Sequence, residues 1–420
     1  MESFTSHLLE LPPEILEAVL LALPPSSSRL AAVSCVCRRL HFVSIPLLYR
    51  SVALRSPEHG KQFCWTVRHG ADVIPHVREL QIHYHETDDE SDDCPEDLYP
   101  VFTQLVNLES LVVRSDWFDP KTASRTSLIS GPQEVLPNLR CCNLGYDYYC
   151  DGFWALDPYQ ALFYHSGLRK FAITGAKVQA RWQYLPTQKA APRSTQLEEL
   201  QFLNCDIPSF ELQEMLQYPR ALKHFTLKGE TPIQGSHGPR IGEPDRMNYI
   251  NALHPHSSSL ETLDLDLYRE WEWPVKLHGF TALKQLTITP RMLIGDDPEG
   301  RPRAAAVPRW EDVLPSGLEK LVFRNDEPEL PLLGIYETVR DGFLPHLRLF
   351  TCEVPSNRTD DSMVRAYECT DGIPSAQAFA RLGVQFSLVQ VPDSTEMPEN
   401  KAYPCQCWIY RHRPDDKYAW

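Results

Sequence analysis

The sequence predicts an α/β protein in which a short N-terminal helical module is followed by a curved solenoid with parallel strands on its concave face. Two observations carry this prediction. An apolar run bounded by prolines near the N-terminus has helical periodicity, and one apolar pattern recurs about every 30 residues along most of the chain. Proline makes up 36 of 420 residues, which divides the chain into many short elements and disfavours long helices.

Composition excludes several classes of protein. The chain carries 56 acidic and 41 basic residues, a net charge of −15, which disfavours binding to nucleic acid or to an anionic membrane. Its twelve cysteines are irregularly spaced, as expected of reduced thiols. The apolar stretch from Leu8 to Leu23 contains Glu10, Glu14 and Glu17 and is therefore not a secretion signal. We expect a soluble protein of the cytoplasm, the nucleus or both.

The first predicted helix lies between Leu11 and Pro24, where prolines open and close a run of good helix formers. Its apolar residues recur at helical spacing, at Ile15, Leu16, Val19, Leu20 and Leu23. A second helix is predicted after Ser26–Ser28, with Leu30, Val33, Val36, Cys37 and Leu40 on one face. We expect Pro46 to break the chain after it.

This segment resembles the F-box, the short helical module by which substrate receptors dock onto the Skp adaptor of SCF-type cullin-RING ubiquitin ligases. The resemblance lies in Leu11-Pro12-Pro13-Glu14-Ile15-Leu16, Val19-Leu20, Leu23, Val33-Ser34, Val36-Cys37-Arg38-Arg39 and Pro46-Leu47-Leu48-Tyr49-Arg50. It covers roughly a tenth of the chain, and the stretch from Leu23 to Val36 is about two residues longer than in the family. The alternative is a helical subdomain that simply packs on the rest of the protein.

The resemblance implies an adaptor-binding surface and, through the adaptor, an association with a cullin. The residues that it assigns to adaptor binding are Leu11, Pro12, Ile15, Leu16, Val19, Leu20, Leu23, Val33, Val36, Cys37, Leu40, Leu48 and Tyr49.

From residue 75 onwards, the chain repeats one pattern: an apolar residue, two mostly polar ones, an apolar residue, any residue, and an apolar residue. The copies are Val77-Leu80-Ile82, Leu108-Leu111-Val113, Leu139-Cys142-Leu144, Leu168-Phe171-Ile173, Leu197-Leu200-Phe202, Leu222-Phe225-Leu227, Leu260-Leu263-Leu265, Leu283-Leu286-Ile288, Leu318-Leu321-Phe323 and Leu347-Phe350-Cys352. A last strand is predicted at Phe379-Leu382-Val384-Phe386. The pattern resembles a degenerate leucine-rich-repeat array. A non-repeat α/β domain is the alternative.

These elements divide the chain into four parts: an F-box at 1–52, a linker at 53–74, the solenoid at 75–390 and a C-terminal cap or tail at 391–420. The last turn of a solenoid needs a cover, which the C-terminal part would supply. A tail without fixed structure is the alternative.

Two features of the predicted array indicate a surface for an unknown target protein. The residues between the apolar positions are polar and mixed in sign, and three aromatic, acidic segments follow strands along one rim. The candidate target-binding residues are Arg114, Trp117, Phe118, Tyr146, Tyr148, Tyr149, Lys228, Tyr268, Arg269, Trp271, Trp273 and Arg324. The aromatic residues could equally cap the core beneath long loops.

Sequence patterns give no reason to expect catalysis, a metal or a cofactor. The acidic run His85–Asp93 lacks the glycine and terminal glutamate of a calcium-binding loop, and the pairs Cys35/Cys37 and Cys405/Cys407 lack a second pair at zinc-site spacing. Phosphate-binding, dinucleotide-binding, kinase and hydrolase motifs do not occur. The resemblance to the F-box and to leucine-rich repeats implies a non-catalytic substrate-recognition subunit of an SCF-type ubiquitin ligase. An adaptor-bound scaffold that presents nothing for ubiquitination is the alternative.

Overall fold

The computed structural model describes residues 7–22, 27–70, 72–84, 101–115, 136–145, 154–178, 191–229, 248–267, 275–294, 309–324, 332–355, 368–369 and 373–391. Its contacts divide the chain into two units. One comprises Met1–Tyr146 with Pro158–Lys170, and the other comprises Asp147–Asp157 with Phe171–Trp420.

The first unit begins with three helices, α1 (Pro13–Leu21), α2 (Ser27–Ser34) and α3 (Arg38–Leu48). A single 3-10 turn, His7–Glu10, precedes them. Proline at the start of α1 sacrifices no hydrogen bond, and Glu14 lies at the positive end of the helix dipole. The Nη2 group of Arg39 donates to the carbonyl of Leu11 at 2.6 Å, which ties the start of α3 to the start of α1.

Two sequence predictions in this region are wrong. The predicted second helix is divided into α2 and α3 by a turn at Cys35–Cys37, because Cys37 adopts an extended conformation (φ −159°, ψ 163°) as the residue before α3. Pro46 also does not break the chain, since it lies in the last turn of α3 and removes only one N–H group. The helix continues past it, and the amide of Tyr49 still bonds to the carbonyl of Ile45 at 3.1 Å.

The rest of the first unit is a parallel sheet with a helix beside it. The strands are β1 (Ser51–Leu54), β2 (Glu79–Tyr84), β3 (Ser110–Ser115) and β4 (Cys141–Gly145), and they lie in chain order. Between β1 and β2 lie α4 (Pro57–His69) and a 3-10 turn, Ile74–His76. The Oγ of Ser56 accepts from the amide of His59 at 3.3 Å and caps α4. Strand β1 pairs with β2, so the sheet begins before the first copy of the repeat pattern.

The second unit contains a larger sheet, whose strands follow the order β6-β8-β9-β10-β11-β12-β13-β16. They are β6 (Lys170–Thr174), β8 (Glu199–Leu203), β9 (His224–Gly229), β10 (Thr262–Leu267), β11 (Gln285–Ile288), β12 (Lys320–Arg324), β13 (Leu349–Pro355) and β16 (Gln385–Val391). Every neighbouring pair from β8 to β16 is parallel.

Short elements connect these strands. The helices are α5 (Ser209–Met215), α6 (Asn248–Leu253), α7 (Pro290–Ile294), α8 (Trp310–Val313), α9 (Leu332–Arg340) and α10 (Ser375–Arg381). Two-residue strands pair as β5 (Trp154–Ala155) with β7 (Ala176–Lys177), and as β14 (Glu368–Cys369) with β15 (Ile373–Pro374). A further 3-10 turn covers His254–His256, and another, Asp157–Tyr164, lies almost entirely in the first unit.

The repeat pattern read from the sequence is the core of the fold. At all three apolar positions of all ten copies the side chain is buried, and none is more than 6% exposed. Parallel strands in chain order, each carrying this pattern, make the protein α/β and its array a leucine-rich-repeat type. The predicted last strand is misplaced, because Phe379 belongs to α10 and β16 pairs Phe386 with Phe350 of β13.

Backbone hydrogen bonds join each repeat to the next in one recurring way. The carbonyl of the residue just before a strand accepts two amides of the following repeat. The carbonyl of Lys223, for example, accepts from Glu261 at 2.8 Å and from Thr262 at 2.9 Å. The same arrangement recurs at Arg78, Glu109, Arg140, Glu198, Glu261, Lys284 and Glu319. These backbone hydrogen bonds fix the register of each repeat against the next without a contribution from side chains.

The residues just before strands β8 to β13 carry charges that alternate in sign. They are, in order, Glu198, Lys223, Glu261, Lys284, Glu319 and Arg348. Ion pairs join Lys223 to Glu198 at 3.2 Å and Lys284 to Glu261 at 3.1 Å, and in the first unit Arg78 to Glu109 at 3.1 Å. The side chains are 39–50% exposed, so each pair contributes at most about 1 kcal/mol. Their alternation nonetheless favours the observed order of neighbours.

Two buried histidines also connect successive repeats. In His165, Nδ1 accepts from the amide of Gly167, so Nε2 carries the proton and donates to the carbonyl of Leu136 at 3.0 Å. In His256, Nδ1 accepts from the amide of Leu222 and Nε2 donates to the carbonyl of Leu216 at 2.8 Å. Burial lowers the pKa of both imidazoles, which keeps them neutral in the folded protein.

We expect stability to fall as the pH drops below about 6.5, because His165 and His256 then bind protons in the unfolded protein more readily than in the folded protein. Replacing both residues (His165→Gln with His256→Gln) should reduce this pH dependence. The measurement is the urea midpoint between pH 7.5 and pH 5. The control is His346→Gln, at an exposed histidine, whose urea midpoint should depend on pH as that of the parent does. An unchanged slope in the double variant would contradict the assignment.

Candidate binding surfaces

The helices of the first unit have a buried side and an exposed apolar side. On α1, Leu16 and Leu20 are buried, whereas Ile15 is 48% and Val19 is 41% exposed. Residues three or four apart lie on the same face of a helix, so Ile15 and Val19 form one stripe beside the buried one. Val36, in the turn between α2 and α3, is 69% exposed. Large apolar side chains exposed together in this way indicate a surface that binds another protein.

The candidate adaptor-binding residues divide into three groups by exposure. Pro12, Ile15, Val19 and Val36 are exposed; Leu11, Val33, Cys37, Leu48 and Tyr49 are half-buried; Leu16, Leu20 and Leu40 are buried. Leu23 lies outside the described residues. The buried leucines hold the helices together, which leaves the first two groups available for contact.

Sequence reasoning missed two exposed residues of this region. Leu21 is 59% and Phe42 is 74% exposed. Phe42 lies on the side of α3 opposite to the buried Leu40 and Ser44, since two residues correspond to a rotation of about 200° around a helix. Helical periodicity alone could have placed Phe42 outside the core.

A second candidate surface lies on the polar face of the sheet in the second unit, where Arg324 and Lys228 meet three carboxylates. The guanidinium of Arg324 donates through Nη1 and Nη2 to the two oxygens of Asp264, and through Nε to Glu353 at 3.2 Å. Its Nη1 is also 3.6 Å from Asp266. The ammonium of Lys228 lies 3.2 Å from Oδ2 of Asp264. We call these five residues the charge cluster.

The charge cluster is largely withdrawn from solvent, with side chains only 15–21% exposed. Burial alone would raise the pKa of the Asp264 carboxyl, but the charges of Arg324 and Lys228 outweigh it and hold that pKa below its ordinary value. For Arg324, burial opposes ionisation and the neighbouring carboxylates overcome it, so its pKa is raised. Asp264 and Arg324 are therefore both charged at neutral pH.

Of the twelve candidate target-binding residues, three lie in the described part of the chain. Lys228 and Arg324 belong to the charge cluster, and Arg114 is a half-buried residue of β3. The other nine lie outside the described residues: Trp117, Phe118, Tyr146, Tyr148, Tyr149, Tyr268, Arg269, Trp271 and Trp273. Lys228 and Arg324, two of the cations that sequence reasoning assigned to a target, are therefore already paired with carboxylates of the protein itself.

A shallow groove of about 450 Å³ runs along the start of strands β9 to β13. Its charged lining residues are Lys223, Glu261, Lys284 and Glu319, and His346 also lines it. Lys284 and Glu261 face each other across an ion pair of 3.1 Å. The groove is thus a polar surface whose charges largely balance.

Among the described residues, no group of three or more His, Cys, Asp or Glu side chains is placed to hold a metal ion. Within the same residues, no helix is long and apolar enough to cross a membrane.

Comparison with known proteins finds a family model that matches the segment carrying the exposed apolar stripe. Residues 8–55, which contain α1 to α3 and β1, match the F-box-like family. No curated protein matches the chain in sequence. Among solved structures, an internalin from Listeria monocytogenes is similar over 76% of each chain, with 12% identity and a TM-score of 0.34. The fold assignment therefore rests on the strand order and burial described above.

Removing the guanidinium from the charge cluster should destabilise the protein. In Arg324→Met, the carboxylates of Asp264, Asp266 and Glu353 all lose the guanidinium, so we expect a loss of about 2 kcal/mol in the free energy of unfolding at pH 7. Chemical denaturation measures it.

The matched control is Lys320→Met, on the same face of β12, which should cost less than about 0.5 kcal/mol. Since the pKa of Asp264 is depressed, the stability that its charge contributes is lost as the pH falls, so parent and Arg324→Met should converge below about pH 4. Equal stabilities of the parent and Arg324→Met at pH 7 would show that the charge cluster makes no net contribution to stability.

Proposed function

We propose that the protein is the substrate-recognition subunit of an SCF-type ubiquitin ligase, docking the Skp adaptor through α1 to α3 and a target protein through the repeat array. The observation that supports the proposal is that a family match and an exposed apolar face occur in the same segment. The residues that match the F-box-like family are those whose helices expose an apolar face. A helical unit of some 40 residues is too small to bury all its apolar surface alone, so a partner for that face is expected.

The adaptor contact has a core of exposed apolar side chains supported by a buried layer. Ile15 and Val19 contribute one side chain per turn of α1, and Val36 projects from the turn before α3. Leu16, Leu20 and Leu40 lie beneath and fix the helices relative to one another. Apolar side chains that become fully desolvated at the centre of an interface supply most of its affinity.

The repeat array offers the target a preformed polar surface. Strands joined by shared backbone carbonyls hold their outward side chains at fixed spacings, so binding costs little conformational entropy. The charge cluster is one such rigid element. Because Arg324 and Lys228 are bound by carboxylates, we infer that this part of the surface does not depend on a phosphate mark on the target.

No step of this function requires chemistry from the chain itself. The protein would raise the effective concentration of the target beside the ubiquitin-conjugating subunits, and transfer would occur on those subunits. Burial raises the pKa of the Cys142, Cys205 and Cys352 thiols, so a thiolate nucleophile is disfavoured at these positions.

The proposal predicts adaptor binding that fails when charge is placed on the exposed stripe. The full-length chain should co-purify with a Skp adaptor, and the double variant Ile15→Asp with Val19→Asp should lose at least about 100-fold in affinity, because two carboxylates would be desolvated at the interface. Titration calorimetry with purified adaptor measures it.

The matched control is Phe210→Asp on α5, which has nearly the same exposure (46%) but lies outside residues 8–55. It should bind as the parent does. Circular dichroism of all three proteins checks that they are folded. An adaptor that binds parent and double variant alike, or binds neither, would contradict the proposed docking surface.

A further inference from the structure

The last strand of the array, β16, has an open edge. It pairs along seven residues with β13, and among the described residues no strand lies on its other side. Its sequence, Gln385–Val391, contains no charged residue and no proline. Edge strands of this length usually carry charges, proline or a bulge, because an uncharged edge with free backbone groups readily pairs with another chain segment.

The core of the array is also open at this edge. The ring of Phe386 continues the core by stacking on Phe379, with centroids 5.5 Å apart and planes 14° apart. The next core position is Leu388, which lies beside the buried Cys352 of β13. Leu388 is nevertheless 43% exposed, unlike the thirty side chains at core positions of the ten preceding copies. A segment that covered it would bury apolar area and complete the core.

The chain itself supplies a suitable segment a short distance further on. Residues 405–410 read Cys-Gln-Cys-Trp-Ile-Tyr, which alternates small or aliphatic with larger polar or aromatic side chains, as a pairing strand would. Thirteen residues separate Val391 from Cys405. At about 3.3 Å per extended residue, this connection is long enough for the segment to pair with β16 in either the parallel or the antiparallel direction.

We propose that residues 405–411 of this chain, which lie outside the described part of the structure, pair with the free edge of β16 and cover Leu388. Because the segment is tethered within twenty residues of the edge, its effective concentration there exceeds that of a free peptide or of a second copy of the chain. The proposal concerns the end of the repeat array and stands independently of adaptor docking.

Hydrogen exchange of individual amides in the full-length protein tests this pairing. The amide of Gln385 bonds to the carbonyl of Arg348, towards β13, and N–H groups alternate along a strand. The amides of Phe386, Leu388 and Gln390 therefore point to the free edge. We expect them to exchange at least about tenfold more slowly in the parent than in Cys407→Pro with Ile409→Pro, which removes two N–H donors from the proposed partner strand.

The control variant is Lys417→Pro with Ala419→Pro, which has the same proline spacing outside the proposed segment and should match the parent. The inward amides of Gln385, Ser387 and Val389 should stay protected in every variant, which shows that β16 itself is intact. The proposal is overturned if the outward amides exchange equally fast in parent and variant. Protection that survives in the double variant and rises with protein concentration would overturn it in favour of a second copy.

Discussion

The backbone carbonyl just before each strand is the interaction on which this structure depends. By accepting two amides of the following repeat, it sets where the next strand begins, and the strand then places its apolar residues on the core side. A repeat taken alone could bury little of its apolar surface, so the stability of each depends on its neighbours. The histidines 165 and 256 reinforce the same connection from the other end of the repeat.

The two candidate surfaces differ in physical character, and the difference matches the roles proposed for them. The exposed side of the first three helices is apolar, and such a surface gains free energy from desolvation when a partner covers it. The charge cluster has already lost most of its contact with water within the protein, so its geometry is set before a partner arrives. One surface is suited to a constant subunit, and the other to discrimination among targets.

The sequence predicted the parts of this fold that depend on local periodicity. Alternation with a period of two identified the buried side chains of all ten strands, because a one-residue error would have exposed the entire set. It failed where a single residue changes the backbone, as at Cys37, whose extended conformation divides the second helix. It also failed for β16, where Phe379 mimics a strand position but belongs to a helix.

The exposed face of α1 could be predicted from residue spacing. The pairing of Arg324 with Asp264 could not, since these residues are 60 positions apart and meet only through the sheet register.

The alternating charges along the edge of the second unit limit how the array can change in length. Removing one repeat from the run Glu198, Lys223, Glu261, Lys284, Glu319 and Arg348 would bring two residues of like charge onto adjacent strands, about 4.8 Å apart. Removing two consecutive repeats would restore opposite neighbours at the new junction. Insertions and deletions that keep this edge paired therefore come in even numbers, and a relative that differs by a single repeat should carry a compensating charge reversal.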